Sequence, residues 1–88
     1  MRAGVFVTDD EQAIRSAIVK RLTRQGHRAV GYESGEALLT AVQHDLPDLV
    51  LLDLKMPGLG GLDTLKQLRQ LAPSAVVIML TAYGTVQD

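Results

Sequence analysis

The chain has no cysteine and no tryptophan, and its aromatic residues amount to one phenylalanine and two tyrosines. Without cysteine it can form neither disulfides nor thiolate metal sites. With only Phe6, Tyr32 and Tyr83, the core has to be aliphatic, and stacking of nucleic-acid bases on aromatic platforms is not expected. Charge of one sign is also lacking: nine basic residues face ten acidic ones, for a net charge of −1. Direct nucleic-acid binding by bulk electrostatics is therefore not expected. No apolar run approaches the ~18 residues of a membrane-spanning helix. The N-terminus has no basic flank followed by an apolar signal core. A soluble, cytoplasmic protein without membrane contact is expected.

The 88 residues are enough for one domain, and a chain of this length buries only about 60–65% of its unfolded surface. With 47% apolar and 22% charged residues, the composition is that of a globular protein. Short apolar runs alternate with amphipathic stretches. Strands are predicted over about residues 3–8, 28–32, 49–53 and 75–80. Helices are predicted over 11–24, 35–44 and 62–71. In the first helix Ile14, Ala17, Ile18 and Leu22 share a face, Asp10 is placed to cap the N-terminus, and Gln25-Gly26 ends it. In the second, opened by Ser34-Gly35-Glu36, the apolar face is Ala37, Leu38, Ala41 and Val42. In the third, Leu62, Leu65, Leu68 and Leu71 are read as core packing. The run Leu49–Asp53 is apolar up to its last residue and fits a strand covered on both faces.

A βαβαβαβ order implies an α/β fold with a parallel, doubly wound sheet and right-handed crossovers. The fourth strand is strongly apolar, and nothing after it covers its edge or one of its faces. Thr85-Val86-Gln87-Asp88 resembles the start of a further helix. The expectation is a domain, spanning 1–88, that is incomplete at its C-terminus. Its exposed strand edge invites pairing with a second copy.

Polar residues collect where the strands end. Asp9 and Asp10 follow the first strand, Asp53 ends the third, and Thr81 follows the fourth. In a parallel sheet these ends share one rim, which is where ligands bind in open α/β sheets. Carboxylates about 4 Å apart repel by about 4 kcal/mol per pair at an effective dielectric near 20, so a cation is needed. All-oxygen ligation with retained waters suits Mg²⁺ or Mn²⁺, and the cation would attract an anion such as phosphate. Asp53 is the natural nucleophile, since aspartyl-phosphate chemistry uses an ionised carboxylate beside a metal.

These residues resemble the response-regulator receiver domains of two-component signalling, which share the flavodoxin-like fold of the chemotaxis regulator. The likeness spans the chain: the acidic pair Asp9-Asp10, the Asp-x-x-Met-Pro-Gly block from Asp53 to Gly58, and Thr81-Ala82 after the fourth strand. It implies a strand order of 2-1-3-4 and a phosphoacceptor module rather than an enzyme. Asp53 would take a phosphoryl group from a phosphohistidine on a sensor histidine kinase. Asp10, Asp53 and the backbone carbonyl of Lys55 would bind Mg²⁺ directly, and Asp9 would bind through a metal-bound water. Thr81 would contact the phosphoryl group and act as a switch. The Leu-Thr-Ala-Tyr-Gly segment at 80–84 resembles receivers of enhancer-binding transcription activators. That implies an output with an ATPase and a DNA-binding domain outside this chain. Family members also carry a fourth helix, a fifth strand that supplies a lysine to the phosphoryl group, and a fifth helix. The fifth strand is expected to lie outside these 88 residues.

Other readings compete at single positions. Asp9 and Asp10 fit an acidic helix start, which the helix dipole favours. Lys55 is expected to turn its side chain to solvent. Pro57 and Gly58 shape a loop, and His27 and His44 lack ligand spacing. Arg15, Lys20, Arg21 and Arg24 read as a solvated basic face. A metal-dependent phosphatase is disfavoured, because the second aspartate such enzymes carry two residues after the nucleophile is Lys55 here. A dinucleotide-binding fold is disfavoured for want of Gly-x-Gly-x-x-Gly after the first strand. The alternative function is a non-signalling fragment that associates through the fourth-strand edge.

Overall fold

In the computed structural model, which describes residues 3–80, four strands alternate with three helices. In chain order they are β1 (Gly4–Thr8), α1 (Gln12–Arg24), β2 (Arg28–Tyr32), α2 (Gly35–Val42), β3 (Leu49–Asp53), α3 (Gly61–Leu71) and β4 (Val76–Leu80). The sheet order is β2-β1-β3-β4, and every pairing is parallel. This is the doubly wound order expected. β1 lies between two neighbours and is buried at all five residues, which matches its unbroken apolar character.

The start of the sheet is tied by polar groups from distant parts of the chain. The Gly4 amide donates to Asp48 Oδ2 at 2.7 Å, and the Asp48 amide donates back to the Gly4 carbonyl at 2.8 Å. The Ala3 amide donates to His27 Nδ1 at 3.1 Å, so His27 anchors the chain just ahead of β1. On the surface nearby, Arg28 pairs with Asp45 at 2.7 Å. Their hydrogen bond holds the Asp45 carboxyl below its usual range.

Side-chain alternation along the strands separates two unequal faces. Phe6, Val50 and Leu52 pack with Leu38, Leu39 and Val42 of α2 and Leu68 of α3. Full burial of aliphatic and aromatic side chains such as these contributes about 1.5–3 kcal/mol each. Phe6 also meets Tyr32 edge-on, with ring centroids 5.1 Å apart. The other face is covered by α1, which packs on β2 and β1 and itself has no fully buried residue. Val5 and Val7 are buried there, but Leu49 and Leu51 are only half-buried. Val76 and Ile78 of β4 stand 60% and 47% exposed. The expectation that β3 is covered on both faces is therefore corrected: one face is closed, and α1 does not reach across the other.

Two helix readings also need correction. Asp10 does not cap α1; the N-cap is Glu11, in extended backbone and without a side-chain cap bond. Ser34 does cap α2, accepting from the Ala37 amide at 3.0 Å. α3 brings only half of its leucine series to the core, with Leu68 buried and Leu65 packed against the cluster. Its buried positions are Gly61, Thr64 and Leu68, while Leu62 is 67% exposed and Leu71 is exposed as well. A strict three-residue spacing drifts round a helix of about 3.6 residues per turn, so Leu62 and Leu71 lie half a turn apart and cannot share one face.

Thr8 is fully buried at the end of β1, on the α2–α3 side. Its Oγ1 has no hydrogen-bond partner among the described residues. A buried hydroxyl left unpaired costs about 1–3 kcal/mol. Thr8→Val keeps the shape and removes that cost, so urea unfolding should show stability raised by about 1 kcal/mol. An unchanged or lowered midpoint would mean that the hydroxyl has a partner in solution.

Candidate functional site: a carboxylate cluster on the sheet rim

The register of β1 against β3 builds the site. Thr8 lies opposite Leu52, so the next residues, Asp9 and Asp53, emerge side by side from neighbouring parallel strands. Asp10 follows Asp9. The three side chains each offer a carboxylate oxygen, and these oxygens lie within 4.8 Å of one another. Asp9 is buried, Asp53 half-buried and Asp10 exposed, so the cluster grades from interior to solvent.

Local hydrogen bonds fix the two inner carboxylates. The Glu11 amide donates to Asp9 Oδ1 at 2.9 Å, and the Lys55 amide donates to Asp53 Oδ1 at 2.9 Å. Each aspartate thus holds a backbone amide two residues ahead, an Asx turn, and keeps further lone pairs for other partners. The end of β3 is also held from behind. The Leu54 amide donates to the Leu80 carbonyl at 2.9 Å, and α3 begins directly against the strand end. A Cβ on Gly61 would lie 2.6 Å from Leu54 Cα and 2.8 Å from the Asp53 carbonyl oxygen, so only glycine permits that approach. Thr64 closes the turn by donating from Oγ1 to the Gly60 carbonyl at 2.6 Å.

The carboxylates open into a cleft of about 370 Å³ that Glu11 and Lys55 also line, with an apolar wall of Ile14, Ile18 and Leu80. Burial pushes the Asp9 carboxyl above its ordinary value. The Glu11 amide pulls it down, and the negative charges of Asp53, Asp10 and Glu11 push it up again. The donor set fits a hard divalent cation: three carboxylates, no soft ligand, and one open side toward solvent for retained waters.

Asp9, Asp10 and Asp53 therefore meet as the sequence led one to expect, and Lys55 lies at the same cleft. Thr81 lies outside the described residues, as do Ala82, Tyr83 and the segment 85–88. His27 and His44 stay away from the cluster. One contributor was missed. Arg15, read as part of a solvated basic face, donates from Nη1 to the Asp9 carbonyl at 2.8 Å. Helical periodicity places Arg15 on α1 but gives no sign that it reaches the acidic loop.

The profile of the response regulator receiver domain matches residues 5–88. The chain belongs to the response-regulator receiver domain family. Among its curated relatives is the DNA-binding transcriptional regulator NtrC of Klebsiella pneumoniae, 38% identical over 85 residues, covering 96% of this chain and 18% of NtrC. The sporulation initiation phosphotransferase F of Bacillus subtilis is 33% identical over 84 residues, covering 96% of this chain and 68% of that protein. Among solved structures, the response regulator TrrA of Thermotoga maritima, in complex with Mg²⁺-BeF, superposes with a TM-score of 0.83. It shares 36% identity over 93% of this chain and 70% of TrrA. NtrX of Brucella abortus, in complex with ATP, superposes with a TM-score of 0.85 and 32% identity, over 90% of this chain and 18% of NtrX. The chain thus spans about a fifth of the length of NtrC and NtrX. Receiver domains are phosphoacceptors of two-component signalling, and an acidic pocket of the kind they use is present here. Among the described residues, no helix is long and apolar enough to cross a membrane.

The raised Asp9 carboxyl sets a pH dependence. Between the ordinary aspartate value and the raised one, the folded chain keeps a proton that the unfolded chain has released. Stability of the metal-free chain therefore falls as pH rises through that window. Asp9→Asn retains the acceptor for the Glu11 amide and removes the charge. Thermal melts without divalent cation should show it more stable than the wild type at neutral pH and level with it in acid. A variant less stable at neutral pH would contradict this.

Proposed function

We propose that this chain is the phosphoacceptor module of a two-component response regulator. In this reading Asp53 accepts a phosphoryl group from a phosphohistidine on a sensor histidine kinase. A carboxylate oxygen of Asp53 forms the new O–P bond as the N–P bond of the donor breaks, and the departing imidazole takes up a proton. The convergence of Asp9, Asp10 and Asp53 at the ends of β1 and β3 is the observation that carries the reading. Family membership supports it.

Mg²⁺ would be held by Asp10, Asp53 and the backbone carbonyl of Lys55, with Asp9 acting through a water. When bound, it supplies positive charge that offsets the crowded carboxylates and the charge of the transferring group. The Asx turns at Asp9 and Asp53 orient the carboxylates toward the cleft before any ligand arrives. Thr81, the residue after Leu80 of the cleft wall, would donate its hydroxyl to a phosphoryl oxygen and bias a two-state equilibrium. The similarity to NtrC supports a transcriptional output, with ATPase and DNA-binding parts outside this chain, and a cytoplasmic setting.

Beryllofluoride with Mg²⁺ should shift the amide signals of Asp53 and its neighbours in the wild type and leave those of Asp53→Asn unchanged. Asp10→Ala should weaken Mg²⁺ binding about tenfold or more, read by calorimetry. A wild-type protein showing neither the shift nor Mg²⁺ binding would sink the proposal.

A second reading is favoured by the exposure of Val76 and Ile78 on β4, which among the described residues is an edge strand with no charge or proline to block pairing. It has the 88-residue chain associating with a second copy through that strand. Light scattering over a wide concentration range should show mass rising with concentration, and Ile78→Lys should restore a monomer. A wild-type monomer throughout the range would exclude this reading.

A further inference from the structure

We propose that Arg15 is a positioning residue of the carboxylate site, and that Gly31 is what allows it to act. This rests on the Mg²⁺ reading above. Among the cations of α1, Lys20, Arg21 and Arg24 are exposed, whereas Arg15 is half-buried. Its Nη1 donates to the Asp9 carbonyl at 2.8 Å. To get there its stem crosses β2 at Gly31, where a Cβ would lie 2.8 Å from Arg15 Cγ and 3.0 Å from Cδ. An edge strand with a side chain at that position would push the stem away.

The bond acts on more than Asp9. The Asp9 carbonyl and the Asp10 amide belong to one planar peptide, so holding the oxygen fixes the direction in which the chain enters Asp10. The Asp9 amide is held from the other side, donating to the Tyr32 carbonyl at 3.1 Å, and Asp9 Oδ1 is held by the Glu11 amide. With Arg15 in place, the backbone on both sides of Asp9 is fixed. Asp10, which is exposed and has no such Asx turn of its own, inherits its aim from that peptide.

The experiment compares the wild type with Arg15→Ala, Gly31→Ala and the double variant. It reads the Mg²⁺ dissociation constant by calorimetry and the Asp10 amide signal in the metal-free chain. Arg15→Ala should weaken Mg²⁺ binding about tenfold, the scale seen when groups that orient metal ligands are removed, and it should shift the Asp10 amide. Gly31→Ala, which leaves α1 and the guanidinium intact, should weaken binding in the same direction and shift the same amide. In the double variant the Gly31 substitution should add nothing, because the strut it displaces is already gone. Unchanged affinity in Arg15→Ala overturns the inference, as does a Gly31→Ala effect that adds in full. If Arg15→Ala does not fold, Gly31→Ala decides alone, and unchanged affinity there is equally fatal. A wild type that fails to bind Mg²⁺ overturns the reading above together with this inference. A wild type that binds with the same affinity as every variant overturns only the inference.

Discussion

The register of β1 against β3 is the constraint on which the rest of this molecule depends. Thr8 faces Leu52, so two strands end together and deliver like charges to one point. A slip of one residue would turn every side chain of a strand to the opposite face. It would send Phe6 out of the α2–α3 core and at the same time dissolve the cluster of Asp9, Asp10 and Asp53. Core and site therefore cannot vary independently. The apolar side chains that make the register favourable also hold three carboxylates together, and the Asp9 carboxyl is raised first by burial and then by the neighbouring negative charges.

The two faces of the sheet differ in how they are closed. On one, α2 and α3 meet over Phe6, Val50 and Leu52. Their close approach depends on Gly35, where a Cβ would run into Thr64 Oγ1. On the other, α1 lies over β2 and β1 and leaves the β3–β4 side partly open. Asp53 belongs to this less covered face, in step with Leu49 and Leu51, so its carboxylate points into a cleft bounded by Ile14, Ile18 and Leu80 rather than into packed core. The same asymmetry that leaves Val76 and Ile78 exposed gives Asp53 its access to the cleft.

Much of this was legible in the sequence, for identifiable reasons. The strand runs are short, aliphatic and bounded by turn residues, so β2 and β3 match their predicted limits and β1 and β4 differ by a residue at the start. The acidic cluster was legible because alternation of strand and helix puts all parallel strand ends on one rim. What escaped was set by relations between distant segments. Leucine spacing in α3 could not show that Gly61 and Thr64, rather than Leu62, face the sheet, because what decides is the room left by Leu54 and Gly35. Arg15 could not be told from its basic neighbours on α1, because what singles it out is a glycine on β2 that lies beneath it only after folding. Asp10 lost its expected capping role because Glu11, not Asp10, ends the extended segment.

The same sheet order has a kinetic side. β1 pairs with β3 across most of the intervening chain; the bonds joining Gly4 to Asp48 span 44 residues. Such non-local pairing has to offset the entropy of closing the intervening loop before its contacts reward it. Until β1 and β3 pair, Asp9 and Asp10 are separated from Asp53 by unfolded chain and feel little of its charge. The cluster of Asp9, Asp10 and Asp53 therefore exists only where β1 and β3 are paired, and the contacts that pair them are the ones that hold the charges together.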